Sequence, residues 1–492
     1  MLSKTTKSNF LIFCGLFFLV FLIVFTSSLN PFTFKRLESD TSVYLTIAQG
    51  ITRGQVPYRD FVDNKGPLTY LISAPGMLLG GFTGVWITEL IFMCVSIIFA
   101  YKTALFFGDK FISFWGVICS YIVMQAFFYQ VAGTEEYALP FMMISLYIFT
   151  KYFFTKNEPP VYELIILGIC FTVCFFLRIN MFPLWLGFCV IIFFESLINK
   201  KYFSLIKYIL LFCIGILIIA VPILLYLYHN NALNDYIHQN FIAGKSRGFS
   251  ISSSKEFVRN FFQIMGMHYC FLPLPIYYTW IVKKRENINI YLCLGLLLAY
   301  LLTVFFFATM RPIALHNNIA FTTFLVPVFT FCINFLFNYF SNVKKKNIIL
   351  LLFLCIVFAE SISYYWWRLS QNFLDTSRKG LITIGKAIDQ NTYIDDKIIL
   401  LGDYCYIYLF TKRQSASRYV YQNAGLDNFI PNTREEFLHD IQENKPKIIC
   451  ITEQNGNYMY LPEWYSPIYS MIENEYRVLS SDNGYFLFIR DK

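Results

Sequence analysis

The sequence predicts a polytopic α-helical membrane protein that carries a smaller α/β domain at its C-terminal end. Its 492 residues are 57% hydrophobic and only 14% charged, whereas an ordinary soluble protein carries about a quarter charged residues. Apolar runs long enough to cross a bilayer recur along residues 9–366, and the composition turns polar from about residue 372. A soluble protein of this composition would have to bury nearly every helix on all sides.

The apolar runs predict about eleven membrane spans. They lie at roughly 9–29, 83–107, 111–129, 136–155, 160–177, 181–198, 208–228, 261–282, 288–309, 319–341 and 347–366. The first run is longer than the core of a signal peptide and lacks a small-residue cleavage site, so it is predicted to stay as an uncleaved span. Segment 66–80 is short and holds Pro67 and Pro75, which predicts an interfacial or re-entrant helix instead of a span.

Basic residues predict the orientation of the spans. If Lys4 and Lys7 are cytoplasmic, alternation of the spans makes every inner loop basic, as the positive-inside rule requires. The inner clusters are Lys110; Lys151 and Lys156; Lys200, Lys201 and Lys207; Lys283, Lys284 and Arg285; and Lys344, Lys345 and Lys346. Counting 66–80 as a span would invert this pattern. The net charge of +9 therefore belongs to cytoplasmic loops of a plasma-membrane protein, and no nucleic-acid partner is predicted.

The polar C-terminal part predicts an α/β domain. "LITIGKAIDQNTYIDDKIILLGDYCYIYLF" predicts a helix, a turn and a strand, and "REEFLHDIQENKPKIICIT" an amphipathic helix, a turn and a strand. "EYRVLSSDNGYFLFIR" predicts a hairpin that turns at Asn483-Gly484. The chain is thus divided into a transmembrane domain, 1–370, with a first outer loop at 30–82, and an α/β domain, 371–492, which the odd number of spans places outside the cell.

Two of the 13 cysteines, Cys405 and Cys450, lie in this polar part. They either form a disulfide or remain as two buried thiols. No CxxC pair and no Cys/His spacing of a zinc site is present in the sequence, so a structural zinc site is not predicted.

Charge is concentrated in the stretch Glu38–Leu71 of the first outer loop. A helix is predicted to begin near Asp40, so this carboxylate is either a helix N-cap or a functional group. Further along, Asp63 or Asn64 is expected to cap the helix that Pro67 opens. Lys65 would then lie beside a helix N-terminus, where anions bind favourably.

This stretch resembles the first extracytoplasmic loop of GT-C membrane glycosyltransferases, in particular the bacterial protein-mannosyltransferase-like and ArnT-like group (glycosyltransferase family 39). The resemblance is carried by Asp40, Tyr44, Ala48, Ile51, Gly54, Pro57, Tyr58, Arg59, Asp60, Asp63, Lys65, Gly66, Pro67 and Leu68. It implies a GT-C fold and an enzyme that takes a sugar from a polyprenyl-phosphate donor. It implies an envelope glycan, lipid or protein as the acceptor, on the outer face. It does not imply a particular cofactor.

The resemblance also implies roles for individual residues. Asp40 corresponds to the base that takes the proton of the acceptor hydroxyl, and Lys65 to the lysine that binds the donor phosphate. In this family an acid of the second outer loop (130–135) approaches the first-loop aspartate. Glu135 is the expected acid and Glu136 the reserve, although both also suit the first turn of a helix. Paired acids would orient the acceptor, raise each other's pKa or share a divalent cation.

Further residues are expected to contribute to substrate binding. In the first outer loop they are Tyr58, Arg59, Asp60 and Asp63. Elsewhere they are Arg178, Arg311 and His316 at the predicted outer ends of spans. The alternative for Arg178 is an arginine that extends to the membrane interface, and the alternative for His316 is a hydrogen-bonded interfacial histidine. Glu89 lies deeper, within the second span, and no role follows for it from the sequence.

The resemblance therefore implies a glycosyltransferase that works by inverting displacement. It contains no P-loop, GxSxG or GxGxxG motif, so the energy has to come from an activated donor. One alternative is a lipid or polysaccharide transporter or flippase, which would place its charges near the midplane of the bilayer. The other is a relative that binds glycan without catalysis.

Overall fold

A computed structural model describes most of the chain. The described residues are 4–33, 37, 39–125, 127, 131–155, 157–242, 289–308, 315–339, 346–375, 377–402, 405–421, 433–452, 465–482 and 485–491. The predicted span 261–282 and Arg311 lie outside them.

Helices form nearly all of the described structure up to residue 375. Their bounds are α1 Lys4–Phe25, α2 Ser39–Ile51, α3 Leu68–Ala104, α4 Lys110–Gln125, α5 Thr134–Thr155, α6 Val161–Leu177, α7 Pro183–Ile198, α8 Tyr202–His229, α9 Leu233–Ile237, α10 Ile290–Ala308, α11 Thr322–Tyr339 and α12 Lys346–Leu374. Short 3-10 helices lie at Ile179–Met181 and Leu315–Phe321, and a π-helical turn at His238–Ile242. Ten of the eleven predicted spans coincide with helices, because long apolar runs satisfy their backbone groups internally in this form.

The helix α3 consists of two arms that fold back on each other at Gly81. Gly81 adopts φ 58° and ψ −134°, outside the helical region. The backbones of Gly76 and Gly84 are in contact. Eight residues of continuous α-helix would separate them by about 12 Å, so the chain must reverse here. The first arm matches the segment 66–80 that the sequence separates from the following span, and Leu78 and Leu79 at its end are exposed.

The described helices identify a multi-pass membrane protein. Five of them are long and apolar enough to cross a membrane: α3, α5, α8, α10 and Asn318–Asn338, which includes α11 up to its last residue but one. Shorter apolar helices lie at Asn9–Phe25, Lys110–Gln125, Val161–Leu177 and Pro183–Ile198. The number of eleven spans and their orientation stay predictions.

After α12 the chain forms an α/β unit. Its elements are α13 Ser377–Asn391, β1 Ile398–Leu401, α14 Tyr406–Thr411, α15 Thr433–Asn444, β2 Ile448–Thr452, α16 Ser466–Glu475, β3 Tyr476–Asp482 and β4 Tyr485–Arg490. The sheet order is β1-β2-β4-β3, with β1 and β2 parallel and the other pairs antiparallel. Strands β3 and β4 flank the expected turn. Cys405 and Cys450 are buried and do not form a disulfide.

The α/β unit packs directly on the first outer loop. The backbone N–H of Val62 donates to the carbonyl of Arg418 at 3.0 Å, and that of Cys405 donates to the hydroxyl of Ser42 at 3.1 Å. The side chain of Val62 is buried in the same hydrophobic cluster as strands β1 and β2. The guanidinium of Arg378, at the start of α13, donates to the carbonyls of Ser28 and Thr33. The loop is therefore held between the helices and the sheet.

Candidate functional site

Asp40 lies in the first turn of α2. The helix begins at Ser39, so Asp40 is inside the helix and the N-cap alternative does not hold. The hydroxyl of Tyr44, one turn later on the same face, donates to Asp40 Oδ2 at 3.3 Å. Burial raises the pKa of Tyr44 well above its usual value, and the nearby carboxylates of Asp40 and Asp63 add to the shift. The phenol therefore stays protonated and acts as a donor to Asp40.

Arg178 links the two predicted acids. It follows the last residue of α6 in an extended conformation, and its guanidinium forms an ion pair with Glu135. The hydroxyl of Thr134 donates to the other oxygen of the Glu135 carboxylate at 2.7 Å. The Arg178 side chain is only 17% exposed and that of Glu135 only 2%. The Asp40 carboxylate also attracts the guanidinium electrostatically. One buried cation thus serves acids from two different loops.

Gly66 brings Lys65 to the same place. The backbone N–H of Gly66 donates to the carbonyl of Leu177 at 3.2 Å, and Leu177 precedes Arg178 in the chain. A Cβ on Gly66 would overlap the carbonyl group of Phe176, so only glycine permits this approach of two backbones. The neighbouring residues Lys65 and Arg178 are therefore held at adjacent points of the site.

We expect Gly66→Ala to lower both stability and activity, because the loop must move away from α6. Overpacking of this kind costs about 1–3 kcal/mol. Gly80→Ala is the matched control, since a Cβ there meets no atom within 4 Å. Thermal unfolding in detergent and transfer assays on both variants test this expectation. Equal behaviour of the two variants would contradict it.

Asp63 is a buried acceptor between three donors. Its carboxylate accepts from the N–H of Asn64 at 2.7 Å, from the Tyr70 hydroxyl at 2.7 Å and from the Tyr421 hydroxyl of the α/β unit at 3.4 Å. The expectation that Asp63 or Asn64 caps the following helix is wrong. That helix has Pro67 at its N-cap position without a side-chain cap. Asp63 instead uses its oxygens to join the loop to α3 and to the α/β unit.

Burial raises the pKa of Asp63, although the charge of Lys65 and the donors oppose this shift. The carboxyl therefore contributes stability below its unfolded pKa and loses that contribution as the pH rises through the raised folded pKa. We expect the melting temperature of Asp63→Asn, relative to that of wild type, to increase from pH 4 to pH 8, because the asparagine stays neutral while the wild-type carboxyl loses its contribution. Thermal unfolding across this range, with the exposed Asp395→Asn as control, measures the effect. A gain independent of pH would contradict it.

Tyr58, Arg59 and Asp60 form the framework of the loop. Tyr58 is buried with φ 69°, and its hydroxyl donates to the carbonyl of Lys65 at 2.6 Å. Arg59 pairs with Asp60 at 2.8 Å on the exposed side, and Asp60 accepts the N–H of Val56 at 2.7 Å. These contacts shape the loop around Lys65, and their use in substrate binding stays a prediction.

Glu136 faces other groups than Glu135 does. One of its oxygens accepts the N–H of Gly133 at 3.2 Å, and its charge interacts with Glu89 and Arg368. The structure therefore separates the two neighbouring acids and joins only Glu135 to Arg178. His316 lies in the short helix Leu315–Phe321. Arg311 is not among the described residues.

Sequence reasoning missed three tyrosines and a glutamine of this site. Tyr44 donates to Asp40 and Tyr70 to Asp63, and Tyr421 reaches Asp63 from the α/β unit. Gln239 accepts the N–H of Asp63 at 3.1 Å and donates to the carbonyl of Tyr58 at 3.0 Å. The spacing of four between Asp40 and Tyr44 was a usable signal. Tyr421 and Gln239 are far from the first outer loop in sequence, and no local pattern connects them to it.

The site combines carboxylates that can exchange a proton with cations that can bind an anion. Within the part of the chain that the structure describes, no group of three or more His, Cys, Asp or Glu side chains is placed to hold a metal ion. The Glu135 carboxylate, one candidate for a shared divalent cation, is already engaged by Arg178 and Thr134.

Comparisons with known proteins agree with this architecture. Residues 2–246 match a family model described as the putative competence-induced protein Ccs4 N-terminal domain. No curated protein matches the chain in sequence.

Solved structures match almost the whole chain. ArnT from Cupriavidus metallidurans is similar in its apo state, with 12% identity and a TM-score of 0.63, over 99% of this chain and 98% of that one. The same protein bound to undecaprenyl phosphate matches with 12% identity and a TM-score of 0.63, over 98% of each chain. AglB from Archaeoglobus fulgidus, an oligosaccharyltransferase in complex with an inhibitory peptide and a dolichol-phosphate, has 10% identity and a TM-score of 0.56, over 99% of this chain and 75% of that one. The chain therefore has the GT-C fold that the resemblance of its first outer loop implied.

Proposed function

We propose that the protein transfers a sugar from a polyprenyl-phosphate donor to an acceptor hydroxyl on the outer face of the membrane. The observation that carries this proposal is the convergence of Asp40, Lys65 and Arg178 where the first outer loop meets the end of α6. A carboxylate that attracts one cation, with a lysine held close by through the backbone contact of Gly66, suits a reaction in which a proton leaves one oxygen and negative charge develops on another.

The reaction is an inverting displacement. The acceptor oxygen attacks the anomeric carbon and gives its proton to the Asp40 carboxylate. The bond from that carbon to the phosphate oxygen breaks, and its electron pair stays on the leaving polyprenyl phosphate. Lys65 and Arg178 offset the charge of this anion, while the Tyr44 phenol orients Asp40.

The apolar helices and the fold support a lipid-linked donor. A prenyl chain requires a hydrocarbon environment next to the polar site, and Asp40, Glu135 and Arg178 all lie at or beside the ends of helices. The ArnT structure with undecaprenyl phosphate and the AglB structure with dolichol-phosphate contain carriers of this chemical class. The acceptor is an envelope glycan, lipid or protein, and the basic loops that the sequence predicts to be cytoplasmic support a reaction on the outer face.

Mass spectrometry of carrier lipids tests the proposal. A strain that lacks the protein is complemented with wild type, Asp40→Asn or the exposed control Asp395→Asn, and polyprenyl-phosphate hexose and pentose species are quantified. We expect one such species to accumulate in the deletion strain and in the Asp40→Asn strain. Wild type and Asp395→Asn should clear it.

Other outcomes would favour the alternatives. Clearance by Asp40→Asn as complete as by wild type would show that Asp40 is not the base. If no carrier species changes in any strain, the transporter and the non-catalytic reading gain support and the proposed reaction loses it.

A further inference from the structure

Glu89 is a buried carboxylate for which the proposed reaction has no use. It lies in the second arm of α3 and is only 2% exposed. Its Oε1 accepts the N–H of Ala132 at 2.7 Å, and its Oε2 accepts the hydroxyl of Ser27 at 2.9 Å. An acid in an apolar helix is costly unless its oxygens are satisfied, so these contacts indicate a specific task.

The first contact fixes an unusual turn of the chain. Ala132 adopts φ 54°, which side-chain-bearing residues rarely do without outside support. It lies directly before Gly133 and Thr134, where α5 begins with Glu135 in its first turn. The Glu89 carboxylate therefore sets the position from which α5 starts.

A second hydrogen bond joins the same turn to α2, the helix that contains Asp40. The carbonyl of Val131 accepts the hydroxyl of Thr41 at 2.8 Å, and Thr41 follows Asp40 in α2. One peptide segment, 131–134, thus joins Glu89 on one side to the neighbours of Asp40 and Glu135 on the other. All of these groups are buried, except Asp40, which is half-buried.

Two further chain segments meet at Glu89. Ser27, which follows α1, donates to Glu89 and accepts the N–H of Leu29 at 3.1 Å. Arg368 of α12 is buried and attracts the charges of Glu89 and Glu136. The carboxylate is therefore a junction between the first span, the last span and the second outer loop.

We propose that Glu89 is a positioning residue, which holds segment 131–134 so that Glu135, Arg178 and Asp40 keep a fixed relation. Its role in catalysis rests on the proposed function, whereas its hold on the segment does not. The hydrogen bond to the Ala132 N–H is what holds the segment. Glutamine keeps one acceptor oxygen of the same reach for this N–H, so Glu89→Gln should largely preserve the hold.

Hydrogen–deuterium exchange tests the structural part without any assay of activity. In Glu89→Ala, exchange in peptides that cover 131–137 should be at least about tenfold faster than in wild type, because the Ala132 N–H loses its acceptor. In Glu89→Gln it should stay within about threefold. Glu195→Ala is the matched control, since Glu195 is also buried and hydrogen-bonded but lies at the far end of α7. It should leave exchange in this segment unchanged.

A double-mutant cycle tests the catalytic part. Glu89→Ala should lower kcat about 30-fold and leave the KM for the donor within about threefold, because binding groups stay and alignment is lost. In a Glu135→Gln background the same change should cost less than about threefold, since both residues act through one segment. Additive effects, or unchanged exchange in Glu89→Ala, would overturn the proposal.

Two results keep the test decisive. If Glu89→Ala does not fold, Ser27→Ala removes the donor that holds the Glu89 carboxylate in place and should accelerate the same exchange; unchanged exchange there would overturn the proposal. If wild type shows no transfer with any carrier lipid, the proposed function fails. The exchange experiment then decides the role of Glu89 alone.

Discussion

Asp40→Asn is expected to lower kcat for sugar transfer about 10³-fold, because the reaction loses its general base. The asparagine has nearly the same shape and still accepts the Tyr44 hydroxyl, but it does not take a proton from the acceptor. Donor binding should change little, because Lys65 and Arg178 remain in place. Transfer by purified protein and binding of undecaprenyl phosphate are the two measurements.

Two controls make the Asp40 result specific. Asp395→Asn removes an exposed carboxylate of the α/β unit and should leave kcat unchanged. Tyr44→Phe keeps the carboxylate and removes only its phenol donor, so its effect should be much smaller than that of Asp40→Asn. A loss of donor binding equal to the loss of rate would show that Asp40 binds the donor and is not the base.

Arg178→Ala is expected to reduce both activity and stability. Loss of one preorganised donor to a developing anion lowers kcat by about 10²–10³. Removing one partner of a buried ion pair costs about 3–5 kcal/mol, since the other charge remains buried. Here the remaining charge is Glu135, whose side chain is only 2% exposed. Thermal unfolding and transfer rates at equal folded fraction separate the two effects.

A double variant distinguishes catalysis from folding at this ion pair. Arg178→Met combined with Glu135→Gln removes both charges and keeps much of their volume, so most of the lost stability should return. Activity should not return, because the leaving phosphate still lacks its cation. Recovery of transfer together with stability would show that Arg178 serves the fold alone. Glu443→Gln, at an exposed position of α15, is the control for the glutamate exchange.

Several features of this molecule were readable from local sequence. Long apolar runs fixed the helices, since a backbone in lipid has few other solutions. Pro75 and the glycines near it separated the first arm of α3 from the span that follows. The density of charge in the first outer loop marks Asp40 and Lys65. The choice of Glu135 over Glu136 came from the family resemblance, and its role stays a prediction, although Glu135 is the acid that pairs with Arg178.

Other features depend on contacts between distant segments. Nothing near Asp63 predicts that Tyr421, 358 residues later, donates to it. The capping role expected for Asp63 failed because tertiary donors occupy its oxygens. The task of Glu89 is invisible in a span of mostly apolar residues, because its partners Ser27 and Ala132 come from two other parts of the chain. Short-range patterns contain no information on such partners.

The burial of Val62 in the sheet cluster has a consequence for how this protein can be divided or recombined. Chain order suggests a cut after α12, yet Val62 packs with Ile399 and Ile449 of the sheet, and its N–H pairs with Arg418. A protein shortened at that cut would expose an apolar side chain beside Lys65 and leave Asp63 without Tyr421. Exchange of the α/β unit between relatives should therefore succeed only when residues 56–65 are exchanged with it.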